Sequence, residues 1–157
     1  MKKFAANLSA LAVTIWVGGL LAIGYIAVPV LFKTIPDKQL AGMVAGDLFS
    51  LMGNVGMVCA VYLLAYRFSQ SGRLFFKQNV FWIILAMLVF ILIVQCGLQP
   101  AMAELKARAF PVDVIHSDLA GRFKMLHGAS SIIYLIQSLL GIVLVLRTRN
   151  AETIPSA

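Results

Sequence analysis

Long apolar stretches alternate with short polar segments along this chain. There are four such stretches, and none contains a charged residue. They are Phe4–Phe32, Leu48–Tyr66, Gln78–Ala103 and Met125–Leu146. A helix needs roughly 20 apolar residues to cross the hydrocarbon core of a bilayer. Lipid offers no hydrogen-bond partners to backbone amides, so each stretch is expected to be helical. The pattern therefore predicts an all-α membrane protein, an antiparallel four-helix transmembrane bundle that forms a single domain over residues 1–157.

The polar segments between the stretches give the predicted boundaries. The spans are placed at about residues 5–32, 46–67, 78–101 and 124–146, the outer loops at 33–45 and 102–123, and the inner loop at 68–77. Pro36 and Asp37 suit the start of a helix, so the second helix is predicted to begin there and run inward. Ser71-Gly72 provides a turn in the inner loop, and Pro111 ends any helix that continues from Glu104–Arg108.

Composition and charge agree with a membrane setting. The 157 residues are 61% hydrophobic and only 12% charged, with a mean hydropathy of +0.94. Soluble domains carry about 25% charged residues, so a soluble enzyme is excluded, and so is a disordered chain. If both termini are cytoplasmic, the inner segments hold seven of the 13 Lys and Arg but only one of the six acids. That distribution predicts a multi-pass protein of the inner membrane with both termini in the cytoplasm. The net charge of +7 suits anionic headgroups and needs no nucleic acid as partner.

Polar side chains inside the spans are the candidate functional residues, because polar groups are costly in hydrocarbon. At about 100° per residue, they share one face of each helix. The four sets are Asn7, Thr14, Gly18, Tyr25 and Pro29; Asp47, Ser50 and Asn54; Gln95 and Gln99; and His127, Ser130, Ser131, Tyr134, Gln137, Ser138 and Gly141. We expect the four faces to converge on the bundle axis, with close helix contact at Gly42, Gly46, Gly53 and Gly56.

This polar set has two interpretations. Such residues commonly tie membrane helices together, at about 0.6 kcal/mol each. Alternatively, a ligand-binding site in the outer half opens to the periplasmic face; its candidate residues are His127, Gln95, Gln99, Asp47, Tyr25, Asn54, Ser130 and Ser131. His127 is also the candidate ligand for haem or a metal, with His116 as a second, and the methionines near Cys59 offer soft ligands for copper. No phosphate loop, nucleophile elbow or pair of zinc ligands in the sequence argues for an enzyme.

Two blocks of sequence resemble a known family. The first is Gly24–Phe32 with Ile35-Pro36, Ala41-Gly42 and Ala45–Phe49, and the second is Leu126–Ser131 with Tyr134 and Leu139–Gly141. They are similar to the small bacterial membrane proteins of an uncharacterised family related to human transmembrane protein 205. The resemblance implies a four-helix integral membrane protein with no established reaction. The layout is more distantly similar to copper-resistance D and HemJ-type membrane proteins, some of which bind haem or copper through histidines in an early helix. The first two helices here contain no histidine.

The sequence leaves three functions open. The leading one is a non-catalytic binding or accessory component, with the lipid bilayer and either a membrane-protein partner or a second copy as its partners. The second is a haem- or metal-binding membrane protein that uses His127, with His116 or Gln99 completing the coordination. The third is a small oligomeric transporter or channel, because four helices leave little room for a pore within one chain.

Overall fold

The fold is a bundle of four antiparallel helical rods. The computed structural model describes the backbone of residues 2–152 and the side chains of residues 3–148, and these residues contain no strand. The elements in chain order are α1 (Lys2–Ala22), a π-helical turn (Ile23–Ala27), α2 (Val28–Thr34), α3 (Lys38–Ser71), a 3₁₀ helix (Gly72–Lys77), α4 (Asn79–Ile93), a second π-helical turn (Val94–Leu98), α5 (Gln99–Ala109), a short 3₁₀ helix (Val114–His116) and α6 (Ala120–Glu152). The first rod runs from α1 to α2, the second is α3, the third runs from α4 to α5, and the fourth is α6.

Each rod is long and apolar enough to cross a membrane. The apolar helices cover Lys3–Thr34, Lys38–Lys77, Asn79–Ala109 and Ala120–Thr148. The chain is therefore a multi-pass membrane protein with an all-α four-helix bundle, and the predicted fold class is confirmed. Residues 38–45, which follow the helix start predicted at Pro36 and Asp37, and residues 102–109 are helical, so both predicted outer loops consist in part of helix. A helix stops where capping or proline stops it, not where the hydrocarbon ends.

The orientation of the bundle in the membrane stays a prediction. Lys2, Arg149 and Glu152, which belong to the predicted inner charges, lie outside the residues whose side chains are described. We therefore name the two ends of the bundle by their contents. The terminal end holds the start of α1 and the end of α6, and the α5 end holds α2, α5 and the start of α3.

Local signals at the helix ends work as the sequence predicts. The Asp37 side chain caps α3, because its Oδ1 accepts hydrogen bonds from the backbone N–H of Gln39 at 2.9 Å and of Leu40 at 3.2 Å. At the other end of α3, Gly72 adopts φ +53°, a left-handed conformation that costs glycine little. The helix α5 ends at Ala109, just ahead of Pro111. These three predictions are confirmed.

The core lies where the four rods meet. The helix α1 packs against α3 and α6, and α4 packs against the same two helices, which closes a ring. The largest side chains that are almost fully buried between them are Trp16, Leu63, Ile84, Met87 and Leu144. The bundle is thus held mainly by the packing of apolar side chains across helix interfaces.

Glycines allow close approach at two of the four predicted positions. A Cβ atom at Gly56 would lie 2.6 Å from Nε1 of Trp16, and one at Gly53 would lie 2.6 Å from Nε2 of Gln95. No atom lies within 4 Å of a Cβ placed at Gly46, and Gly42 has only the Phe32 ring at 3.9 Å. The prediction is confirmed at Gly53 and Gly56 and wrong at Gly46, which does not face a neighbouring helix.

Candidate functional site

Two π-helical turns carry candidate residues toward the α5 end. The N–H of Val28 donates to the carbonyl of Ile23, and the N–H of Gln99 donates to the carbonyl of Val94, each five residues back. Each turn lies directly before a proline-containing helix start, at Pro29 and at Pro100. Proline lacks an N–H, and its ring crowds the carbonyl four residues earlier. A wide turn relieves that conflict inside a membrane helix, where no water can satisfy the backbone.

Gln95, in the second π-helical turn, reaches across to α3. Its Nε2 donates to the carbonyl of Ser50 at 2.8 Å and to Oδ1 of Asn54 at 3.1 Å. The approach depends on Gly53, where any side chain would occupy the space of the Gln95 amide. Two of the candidate ligand-binding residues, Gln95 and Asn54, are therefore in direct contact. Their shared hydrogen bond ties α3 to the second π-helical turn of the third rod.

Tyr25, in the first π-helical turn, belongs to an aromatic cluster. The ring of Tyr134 in α6 packs edge-on against Phe49 of α3 with centroids 5.0 Å apart, and lies 6.3 Å from the ring of Tyr25. The Tyr134 hydroxyl donates to the carbonyl of Leu20 in α1. Gly24 leaves the space that the Tyr134 ring fills. The cluster joins three rods, and sequence reasoning missed Phe49 because an aromatic residue on an apolar helix carries no distinguishing signal.

His127 occupies an exposed position near the start of α6. Its ring stacks on Phe123 at 5.9 Å with an interplanar angle of 12°, and Nζ of Lys106 lies 5.7 Å from the centroid of the same Phe123 ring. Ser130 and Ser131 donate their hydroxyl hydrogens to the carbonyl of His127, at 2.9 Å and 2.8 Å. Both serines are thus bonded within their own helix.

The remaining candidates lie apart from the Gln95–Asn54 pair. Asp47 is exposed, and Gln99 is partly exposed. Within residues 3–148, no side-chain hydrogen bond joins Asp47, Gln99 or His127 to either member of that pair. The structure thus brings together Gln95 with Asn54, and Tyr25 with Tyr134, but it does not join all eight candidates into one hydrogen-bonded site.

The two candidate histidine ligands lie near the start of α6 and just before it. His116 is exposed at the end of the short 3₁₀ helix that precedes α6. Among the side chains that the structure describes, no group of three or more His, Cys, Asp or Glu is placed to hold a metal ion. Cys59 is buried, Cys96 is exposed, and both are free thiols. A metal-binding role for His127 and His116 therefore stays a prediction.

The predicted convergence of all four polar faces is wrong for the first rod and for most of the second, where Asp47 and Asn54 are exposed. The polar set of the first rod, Asn7, Thr14, Gly18, Tyr25 and Pro29, is exposed. The buried face of α1 instead carries Trp16 and Leu20. In α1 the packing of large side chains such as Trp16 sets the inward face, and the predicted polar set lies outside it.

The polar face of α6 divides into two halves. Gln137 and Ser138 are buried as predicted, whereas His127 and Ser131 are exposed. The buried half lies alongside the core of the bundle, where Leu144 is fully enclosed. The exposed half lies at the α5 end, beside the connection that contains His116.

Comparison with known proteins identifies a family without an assigned activity. The family model described as a domain of unknown function (DUF4149) matches residues 11–111. No curated protein and no solved structure gives a significant match. The matched range includes Tyr25, Asp47, Asn54 and Gln95, and His127 lies beyond it. The match gives no link to transmembrane protein 205 or to the copper-resistance D and HemJ-type proteins, so those resemblances stay predictions.

Proposed function

Since this chain belongs to the DUF4149 family of unknown function, we propose a role for it from its own surface: it is a non-catalytic binding or accessory component of the inner membrane that works as an assembly of two copies. In this proposal both termini are cytoplasmic. The partner binds on α3, and the observation that carries the proposal is the exposed amide of Asn54 within a membrane-spanning segment.

The exposed face of α3 has the spacing of a helix-packing surface. Exposed residues recur along it at intervals of three or four, and we name them the α3 seam: Met43, Asp47, Leu51, Asn54, Val58 and Val61. The exposed fraction is 60% for Leu51 and 70% for Val58. Knobs at this spacing interdigitate with those of a second helix. The apolar residues of the seam can face either lipid or a second helix. The polar residues of the seam distinguish these two surroundings.

Asn54 is unsuited to a lipid-facing position. It lies two helical turns from Asp47, or about 10 Å along α3, on the uncharged stretch that begins at Leu48. Its Oδ1 accepts from Gln95. Within the described part of the chain, its Nδ2 donates to no residue, although an amide nitrogen has two hydrogens to donate. Hydrocarbon cannot accept them, and an unmet donor there is costly.

A second copy of the chain provides the matching partner. An amide carries both donors and an acceptor, so two Asn54 side chains can pair reciprocally about a twofold axis. Two copies inserted in the same direction bring their seams together in parallel, at the same depth. A single asparagine in a helix-packing surface also fixes the register and the number of helices. The seam is therefore complementary to itself.

Cross-linking of single cysteines tests this assembly. In a chain with Cys59→Ala and Cys96→Ala, one cysteine replaces Val58 on the seam, and the control variant has one cysteine at Leu135 on α6. Both side chains are exposed within membrane-spanning segments. Leu135 lies nearer the α5 end than Val58, because its neighbour Tyr134 contacts Phe49, so the control reports chance cross-linking of an exposed cysteine in the membrane. Oxidation in native membranes is expected to link Val58→Cys into a dimer of the chain and to leave Leu135→Cys monomeric.

Loss of the amide gives the second arm of the experiment. Polar contacts between membrane helices contribute about 0.6 kcal/mol each, so removal of a reciprocal pair by Asn54→Leu should weaken the dimer by about five- to tenfold. Equal cross-linking at positions 58 and 135, no cross-linking at 58, or a cross-link from 58 to a different protein would each contradict the proposal.

A further inference from the structure

A cavity opens between α1, α3 and α6 at the terminal end of the bundle. Its volume is about 180 Å³, and its polar lining comes from Ser9, Thr14, Arg67 and Thr148. A single water needs about 10–15 Å³ of such space, so the cavity can hold a group of several heavy atoms. It lies near the end of α3, beyond the Gln95–Asn54 pair at the middle of that helix, and none of its lining residues belongs to the α3 seam.

Arg67 enters this cavity with part of its guanidinium unsatisfied. Its Nε is buried and has no hydrogen-bond partner among the described residues. A guanidinium remains charged and carries five N–H donors. Arg67 as a whole is only partly buried, so the cost falls on the unpaired Nε–H, whose lost contact with water no described residue offsets. An anion bound in the cavity would accept this hydrogen bond and balance the positive charge.

The chain's own described acids lie at the other end of the bundle. Asp37, Asp47, Glu104, Asp113 and Asp118 belong to the start of α3, to α5 and to the connection that follows α5. The sixth acid, Glu152, lies outside the described side chains. Exposed cations, Lys3 and Arg147, lie on the elements around the cavity and add to its positive potential. Across residues 3–148, nothing supplies Arg67 with a carboxylate.

One hydroxyl beside Arg67 is available to a ligand. Ser9 is only 6% exposed and makes no side-chain hydrogen bond within the described chain. The hydroxyls of Thr14 and Thr148 are already engaged, because they donate to the carbonyls of Ala10 at 3.0 Å and of Leu144 at 2.9 Å. The free donors in the cavity are thus the Arg67 guanidinium and the Ser9 hydroxyl.

We propose that this cavity is a binding site for a phosphate group, held by the Arg67 guanidinium and the Ser9 hydroxyl. The guanidinium presents parallel N–H donors that match two phosphate oxygens. Arg67 directly follows the uncharged stretch that ends at Tyr66, which places the cavity at the level where lipid headgroups meet hydrocarbon. The phosphate belongs either to an anionic phospholipid or to a soluble phosphate compound, and binding measurements distinguish these sources.

Native mass spectrometry of the delipidated full-length chain measures the binding. The probes are phosphatidylglycerol, a diacylglycerol with the same acyl chains but no phosphate, and inorganic phosphate as competitor. The variants are Arg67→Gln, Arg67→Lys and Ser9→Ala. The control is Arg73→Gln, which removes one positive charge from an exposed residue outside the cavity.

The expected result is that phosphatidylglycerol binds and diacylglycerol does not. A hydrogen bond to a charged group contributes about 1.5–3 kcal/mol, so Arg67→Gln should weaken binding by about tenfold or more. Arg73→Gln should leave binding unchanged, and Ser9→Ala should weaken it by about fivefold. Arg67→Lys keeps the charge and should retain part of the affinity. Competition by inorganic phosphate identifies a soluble phosphate compound, and its absence identifies the lipid.

Three results would overturn the proposal. They are equal binding of phosphatidylglycerol and diacylglycerol, equal losses for Arg67→Gln and Arg73→Gln, and no binding of any probe. If Arg67→Gln fails to fold, Ser9→Ala alone decides, since that change removes one hydroxyl from a small side chain. Unchanged phosphatidylglycerol binding in a folded Ser9→Ala chain then refutes the assigned ligand pair.

Discussion

The helices α1 and α3 pack closely where Gly56 meets Trp16, and a single added methyl group tests that contact. In Gly56→Ala, the new Cβ would lie 2.6 Å from Nε1 of Trp16 and 2.9 Å from Cδ1 of Ile91. Trp16 is only 1% exposed and Ile91 only 4%, so neither side chain has free space to move into. The substitution must therefore force the two helices apart or strain the indole ring.

The size of the effect follows from two opposing contributions. Overpacking of a filled core costs about 1–3 kcal/mol. Alanine has a better helix propensity than glycine by about 1 kcal/mol, which offsets part of that cost. Gly46→Ala gains the same propensity, but its Cβ meets no atom within 4 Å. The difference in unfolding free energy between the two variants isolates the overpacking, and we expect Gly56→Ala to be less stable than Gly46→Ala by about 1–3 kcal/mol.

Unfolding of the purified full-length chain by dodecyl sulfate in mixed micelles measures this difference. The chain contains two tryptophans. Trp82 is 59% exposed, so a Trp82→Phe background leaves Trp16 as the fluorescent reporter at the contact itself. Equal unfolding free energies for Gly56→Ala and Gly46→Ala, with an unchanged Trp16 emission spectrum, would refute the close packing of α1 against α3.

Three further predictions concern single interactions. Tyr134→Phe removes the hydroxyl that donates to α1 and should lower the unfolding free energy by about 0.6 kcal/mol, and at most by about 1.7 kcal/mol. Its control is Tyr66→Phe, because the Tyr66 hydroxyl makes no hydrogen bond in the described chain. Equal losses of unfolding free energy in the two variants would contradict the role of Tyr134. Asp37→Ala removes the α3 cap and should cost about 1 kcal/mol, seen as faster amide hydrogen exchange in the first turn of α3 and nowhere else; unchanged exchange there would refute the cap. Gly72→Ala places a Cβ at a positive φ and should lower the unfolding free energy by about 1–2 kcal/mol. Gly97→Ala, with open space around its Cβ and no positive φ, should not lower it. A larger loss of stability in Gly97→Ala than in Gly72→Ala would contradict the assigned backbone conformation.

Local chemistry accounts for the parts of the fold that the sequence predicts well. Asp37, Gly72 and Pro111 act on backbone groups within a few residues of themselves, so their effects can be inferred without knowledge of the rest of the chain. The four uncharged stretches are equally direct, because their length relates to the thickness of the bilayer and not to any contact. Fold class and helix order follow from these two kinds of signal.

The candidate site was harder to predict because its contacts are not local. The rotation of about 100° per residue does not hold across the π-helical turns that precede Pro29 and Pro100. The sequence alone therefore does not fix which helix face carries Tyr25 or Gln95. The inward face of α1 is set by Trp16. Spacing along the sequence does not distinguish that face from the face that carries the polar set. The contact of Tyr134 with Gly24 joins two distant parts of the chain, and no pattern within a single sequence marks such a pair.

The cavity at the terminal end could not be anticipated either. In the sequence, Arg67 is one of several cations that follow an apolar stretch, and its charge counts only toward orientation. Burial of its Nε depends on how α1 and α6 close over the end of α3. The feature that marks Arg67 as a candidate binding residue is a buried donor without a partner, and that feature is visible only in the packed structure.

The most direct measurement tests whether the apolar rods cross a bilayer. Single cysteines at the exposed residues Val112 and Arg73 are placed, one at a time, in a chain with Cys59→Ala and Cys96→Ala. A maleimide that cannot cross membranes is added to intact spheroplasts. Because one rod separates the two positions, we expect them on opposite sides of the membrane. With both termini cytoplasmic, as proposed, Val112→Cys is labelled at once and Arg73→Cys only after the membrane is permeabilised. Equal labelling of both positions in intact spheroplasts would contradict a membrane-spanning bundle.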